Sequence, residues 1–439
     1  MNQEETAALS VKFNRFLWSS VLITLSGCLG NVVDGIIVGN LIGADGVSAI
    51  NLSKPVVQFY MTLNLLIGMG ASMIVGYALG KKDKIRAPYV FTLAVIINMT
   101  IGLAFTFIGI FFNADVARLL CNNAVLLVPS EQYLLPMLVG APAYMMMWTC
   151  SAMISVDGSP RLASMAIVID NAVNLMLDIV FISLFGWGIM GSSLATVVGH
   201  LVGIAIMLRH FLYRDNNLRF SLKHQDSEFL HILSQGAPLA LASVSLTLLL
   251  LSANTIILST LGRTGIFAFA VCMNLLQVYN LFVAGACRTL QSLGAIQVGS
   301  GNHEAFTFVV RKSLRFITIA MGIICLLVMI WPSIVTWLFG ASDASMVVEC
   351  NRALRIFALS FLPFCYIYVL MIIYKLYNQH GMALFISFAL SLTVIPVLWI
   401  MARWMPQYLW YSYLIAYIIE GIVIYALHKA RNIQFVLKQ

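Results

Sequence analysis

Apolar runs of 20 or more residues, separated by short polar or Gly/Pro breaks, recur from one end of this 439-residue chain to the other. As a helix rising about 1.5 Å per residue, some twenty apolar residues cross the roughly 30 Å hydrocarbon core of a bilayer. The breaks delimit about twelve helices, predicted at 14–42, 47–79, 87–112, 126–156, 161–185, 188–212, 230–261, 265–299, 307–339, 347–378, 381–403 and 407–429. Those longer than 30 residues imply tilt or extension beyond the bilayer. The fold class is therefore an all-α polytopic membrane protein.

The one long polar connection is Tyr213 to Ser227, at the midpoint, and it predicts an amino-terminal six-helix lobe at 1–212, a cytoplasmic linker at 213–229 and a carboxyl-terminal six-helix lobe at 230–439. The halves are alike. Shifted by 219 residues, Gly43 falls on Gly262, Gly46 on Gly265, Ala49 on Ala268, Gln58 on Gln277, Tyr60 on Tyr279 and Gly80 on Gly299. An even number of helices per half keeps their orientation, so the repeat is parallel. Transporters built of such halves bind substrate between them and alternate access to it.

Composition agrees with the pattern. With 61% hydrophobic and 10% charged residues, the chain cannot coat a water-soluble globule. The net charge of +8 matters less than where the basic residues lie. With both termini on one side, that side collects eighteen of the 25 Lys and Arg, the other side five, and Lys54 and Arg288 fall within spans. The asymmetry puts both termini in the cytoplasm and gives no reason to expect nucleic acid; the expected location is the cytoplasmic (inner) membrane of a prokaryote. The eight cysteines lack CxxC spacing and sit mostly in apolar runs, as small core residues, so disulfides and zinc sites are not expected.

Against this background the polar groups inside the spans stand out. An acid in a spanning helix is a functional-site hypothesis with a partner to be found. Asp34 lies in the first helix. The fifth carries Asp170, Asn174 and Asp178 at i, i+4 and i+8, on one stripe, and the sixth adds Thr196 and His200. Counted from the outer turns at Gly43 and Gly186, Asp34, Asp178 and Thr196 all lie about eight residues deep, on the order of 12 Å. Two carboxylates, an amide and a hydroxyl at one level suit Na⁺, and a desolvated carboxylate beside another acid can hold a proton. A buried hydrogen-bonded pair that fixes helix register is the alternative for Asp34 and Asp178. Asp170 and His200 are possible accessory groups, Asp170 alternatively snorkelling and His200 alternatively a packing residue. Lys54, near the depth of Asp34, is a rival partner for it. Arg288 and Glu420 are expected to form a buried structural ion pair.

Asp34, Lys54, Asn174, Asp178 and Thr196 sit in segments that resemble the multidrug and toxic compound extrusion (MATE) family. The segments are NVVDGIIVGNLIGADGVSAINLSKP in the first helix and beyond, GMGASMIVGYALGKKDK, SVDGSPRLASM, NLMLDIVFI followed by FGWGIMGSSLAT, and QGAPLA. The resemblance implies twelve helices in two lobes and export of bulky, often cationic and aromatic compounds in exchange for Na⁺ or H⁺, with no other cofactor. It also implies a cation site of Asp34, Asn174, Asp178 and Thr196. The chain departs from the family in two ways: Ala237 to Ile257 holds no acid, and Lys54 stands where an apolar residue is usual. Coupling is thus expected in the amino-terminal half alone.

A cleft for such substrates is expected to be apolar with a few polar fixing groups. Gln58, Tyr60, Met145, Met146, Trp148, Gln277 and Tyr279 are its candidates, although each also fits ordinary packing. The expected partners are small organic molecules and the lipid bilayer, with the chain a monomer. A flippase for a lipid-linked saccharide precursor would want a cleft richer in Arg and Lys. A membrane-embedded enzyme would need a nucleophile with its base or a metal cluster, and no HExxH or GxSxG occurs.

Overall fold

The computed structural model describes residues 3–81, 83, 85–212, 216–221, 228–299, 301–341, 343–377 and 379–430. Part of the expected linker at 213–229 thus lies outside the described residues. The elements are α1 (Gln3–Leu41), α2 (Ala44–Asn64), α3 (Gly70–Gly80), α4 (Arg86–Leu120), α5 (Ala124–Val139), α6 (Ala141–Val156), α7 (Pro160–Ile179) and α8 (Gly188–Met207). They continue with α9 (Phe229–Gly299), α10 (His303–Ile330), α11 (Pro332–Leu338), α12 (Ala344–Leu376), α13 (His380–Leu392), α14 (Val394–Trp404) and α15 (Ser412–Ala430). Two π-helical segments, Leu65–Met69 and Val180–Leu184, join α2 to α3 and prolong α7.

Nine helical runs among the described residues are long and apolar enough to cross a bilayer. One of them, Leu239–Gln291, divides at Gly262; α5 and α6 together make a further span, bent by 54°; and α1 completes the expected twelve. Where boundaries differ from expectation, local chemistry explains it. The bend between α5 and α6 falls at Gly140, with Pro136 before it and Pro142 after it. The ninth expected helix stops at Ile330 because Pro332 opens α11. The third continues past its expected end to Leu120 across a kink at Phe112.

The repeat seen in the sequence is present in the backbone. Gly43 (φ 96°) and Gly262 (φ 63°) both take a left-handed conformation that reverses the chain, where a side chain would be strained. Gly46 lies against Val38 and Ile42, and Gly265 against Ile257 and Leu261, which are the same neighbours shifted by the repeat. Ala49 and Ala268 are both fully buried.

By internal contacts the chain divides into two compact units, Ile37–Thr255 and Met1–Ile36 with Ile256–Gln439. This departs from the division expected at 212 and 230, and side chains show why. The first arm of α9 carries polar groups that bond into α2 of the first unit. Gln58 donates to Ser243 at 2.9 Å, Thr62 and Ser243 share a hydrogen bond of 2.7 Å, and the Asn51 amide donates to Asn254 Oδ1 at 2.9 Å. Gly236 allows the close crossing, because a Cβ there would overlap the Leu66 carbonyl oxygen. In the second unit, α1 packs on the second arm of α9 where Gly285 meets Val21 and Gly35 meets Asn274. The Lys312 ammonium donates to the Ser10 carbonyl at 3.1 Å and lies over Phe13.

The first unit is filled by Ile67, Phe91, Met147, Ile154 and Met207, with a second cluster around Tyr60, Tyr133, Leu134 and Ile189. The second unit buries Phe267, Phe269, Phe357, Phe361 and Tyr374. All seven described cysteines that are free are also buried, as expected of small core residues.

Candidate functional site

The site is built on the hairpin of α7 and α8. Gly186 and Gly188, both with positive φ, turn the chain between them and send α8 back along α7. Polar residues then meet rung by rung. Asn174 donates its amide to Thr196 Oγ1 at 3.1 Å. One turn away, His200 Nδ1 lies 3.1 and 3.0 Å from the two carboxylate oxygens of Asp170. The same register places Ser192 at the level of Asp178 on the other side of the rung. Asp178 is fully buried and Asp170 is only 4% exposed.

Glycines make the approach possible. A Cβ on Gly199 would fall 2.6 Å from Asp170 Oδ1 and 2.9 Å from the Asp170 carbonyl oxygen, and one on Gly203 would meet Met147 and Asp170. Tyr144 of α6 closes the stripe, its ring edge-on to His200 with centroids 4.9 Å apart. The stripe thus offers carboxylate, amide and hydroxyl oxygens to a hard cation, and a carboxylate with an imidazole to a proton. Among the described residues no group of three or more His, Cys, Asp or Glu is placed to hold a metal ion.

Asn174, Asp178, Thr196, Asp170 and His200 are therefore brought together in one stripe of the first unit. Asp170 does not snorkel; it is buried against His200. Lys54 is half-buried on α2, in that unit, whereas Asp34 is half-buried on α1, in the second unit. The expected ion pair of Arg288 and Glu420 is not formed. Arg288 is exposed, and Glu420, 2% exposed on α15, has neither carboxylate oxygen hydrogen-bonded among the described residues.

A cavity of about 400 Å³ opens in the first unit beside the π-helical segment. Met61, Met69 and Trp148 form apolar and aromatic wall, while Gln58, Asn64 and Ser151 supply uncharged polar groups. Two of the cleft candidates, Gln58 and Trp148, line it. Tyr60 and Met145 do not, since both are fully buried, Tyr60 between Phe105 and Tyr144. Met146 packs against the core of the unit. In the second unit Gln277 is half-buried, and Tyr279 is core, stacked on Phe361 at 3.6 Å. Large side chains at helical spacing read the same in sequence whether they face a core or a cleft, which is why these were candidates. Sequence reasoning missed Tyr144 and Asn64, which donates to Thr149 at 2.9 Å. A lone Tyr or Asn in a span carries no spacing signal.

Twelve spans in two repeat-related halves, with buried carboxylates lined up on a spanning hairpin, define a polytopic membrane protein of the transporter class. The sequence profile of the MatE family matches residues 20–180 and 238–400, and the chain belongs to that family, the MATE transporters. The multidrug export protein MepA of Staphylococcus haemolyticus is 22% identical over 337 residues, covering 75% of this chain and 74% of the relative. An inward-facing multidrug resistance MATE family transporter of the MOP superfamily superposes with a TM-score of 0.83 at 19% identity, over 94% of this chain and 98% of that one. The MATE multidrug transporter DinF-BH, solved in complex with a dye, gives 0.73 at 20% identity, over 95% of each chain.

Proposed function

We propose that the protein is a secondary active exporter that moves bulky organic compounds, often cationic and aromatic, outward in exchange for Na⁺ or H⁺ by alternating access. The observation that carries this reading is the fully buried Asp178, set on a spanning helix one turn from the Asn174 and Thr196 rung. A carboxylate held in lipid is expensive, and a bound cation or proton offsets that cost. Binding and release of the coupling ion then differ in free energy between states, which is what drives a two-state cycle.

The gradient is adequate, because each charge crossing 100 mV yields about 2.3 kcal/mol and each pH unit about 1.4 kcal/mol. The uncharged, Met- and Trp-lined cavity suits flat organic compounds, since Met adapts its shape and an aromatic wall stacks on rings or delocalised cations. That MepA is a multidrug export protein and that DinF-BH binds a dye support the same substrate class. The chain acts as a multi-pass protein of the cytoplasmic membrane, with Asp34 as the further carboxylate of the coupling reaction.

The test is transport of the cationic dye rhodamine 6G in proteoliposomes under imposed Na⁺ or pH gradients. Asp178→Asn and Asp34→Asn should each lose gradient-driven transport at least tenfold while eluting as folded protein. Unchanged coupling in either variant would remove that residue from the mechanism.

A further inference from the structure

The Asp170 and His200 pair is more than a brace between helices. His200 is 7% exposed and Asp170 4% exposed, and Nδ1 lies between both carboxylate oxygens. An ionised carboxylate only accepts, so Nδ1 carries the hydrogen and Nε2 is left with a lone pair. Among the described residues Nε2 has no hydrogen-bond partner, although it is buried. The surroundings supply little else that titrates. Tyr144 of α6 faces the imidazole edge-on, with Tyr60 of α2 behind it at 5.4 Å. Helix α5 meets α8 at Gly140, beside Val197, and its one charged residue, Glu131, is about nine residues from there, on the order of 13 Å. On α8 itself the nearest polar group one turn away is Thr196.

We propose that Asp170 and His200 form a proton-holding pair that takes part in coupling beside the Asp178 rung; this rests on the export reading above. With the imidazole neutral the buried pair carries a net charge of −1. A proton arriving from water on one side of the membrane binds the Nε2 lone pair, and the pair becomes imidazolium and carboxylate with no net charge. Release runs the other way: the Nε2–H bond breaks, the electron pair stays on nitrogen, and the proton passes to water on the opposite side. Because a net charge held away from water costs far more than a neutral ion pair, proton occupancy is tied to how dry the pair is in each state. Gly199 and Gly203 keep the two residues in contact by leaving no side chain between the helices.

The variant that separates this role from bracing is His200→Gln, whose amide still donates to Asp170 but takes up no proton. In proteoliposomes loaded with rhodamine 6G, wild type should transport under a pH gradient, and H200Q should lose at least tenfold of that transport while keeping gradient-free exchange of the dye. Transport by H200Q with the wild-type pH profile would overturn the proposal, as would wild-type transport driven by Na⁺ alone and indifferent to pH. Absence of dye exchange in wild type would instead count against the export reading, and a second measurement stands apart from it. The chain has seven histidines, so the His200 signal in ¹⁵N-histidine spectra is assigned by its loss in H200Q. In wild type it should titrate within pH 4–9, and Asp170→Asn should move its midpoint. A His200 signal that stays constant across that range overturns the pair as a proton holder.

Discussion

Gly199 shows how narrow the tolerance is around the buried acids. A methyl group there has backbone on one side, the Asp170 carbonyl, so it cannot be accommodated by a side-chain rotation alone. Gly199→Ala should cost about 1–3 kcal/mol through overpacking and spread α7 from α8. Thermal unfolding of the purified protein should register the loss, and a midpoint equal to that of wild type would show that the hairpin adapts. At this scale the candidate residues were partly legible beforehand. The spacing of Asp170, Asn174 and Asp178 on one face, and of Thr196 and His200 on another, follows from helical geometry alone. Which residue of one face meets which of the other depends on the register between the helices, which the turn at Gly186 and Gly188 and the glycine contacts decide. The same limit explains Arg288 and Glu420: similar distances from helix ends made them plausible partners, but the rotation of each helix about its axis sets them apart.

At the level of elements, the glycines that interrupt or cross helices matter most. Gly236 permits the first arm of α9 to touch the backbone of the π-helical segment at Leu66, and there is no side chain whose movement could make room. Gly236→Ala should therefore sharply reduce the monodisperse fraction on size-exclusion chromatography of a fluorescent fusion, whereas Gly322→Ala, at a glycine with open space around it, should leave it unchanged. The helices themselves were legible because apolar run length and Gly/Pro punctuation are local. The bend at Gly140 is marked in the same local way by Pro136 and Pro142, whereas no Gly or Pro stands at Phe112 or next to it to announce the kink there.

For the whole molecule, the distribution of Lys and Arg predicts that both termini face the cytoplasm. A carboxyl-terminal green fluorescent protein fusion should fluoresce and a periplasm-active alkaline phosphatase fusion at the same position should be silent; the opposite result would invert the orientation. The repeat offset of 219 residues was readable in the sequence because each half must turn at the same glycine and pack the same small residues. The grouping into units was not. Residues 229–255 join the first unit through Ser243 and Asn254, and α1 joins the second through Val21, Gly35 and Ser10, across the boundary that the polar linker suggests.

The amino-acid sequence by itself determined the membrane class, the helices, the parallel repeat and the residue types able to bind a cation or proton, because all of these follow from hydropathy and from periodicity along a single helix. Only the tertiary structure decided that His200 closes on Asp170, that Asn174 reaches Thr196, that Tyr60 and Tyr279 are core, and that Glu420 is buried away from Arg288. Those outcomes depend on the rotation and offset of one helix against another, set by close glycine contacts between residues far apart in the chain.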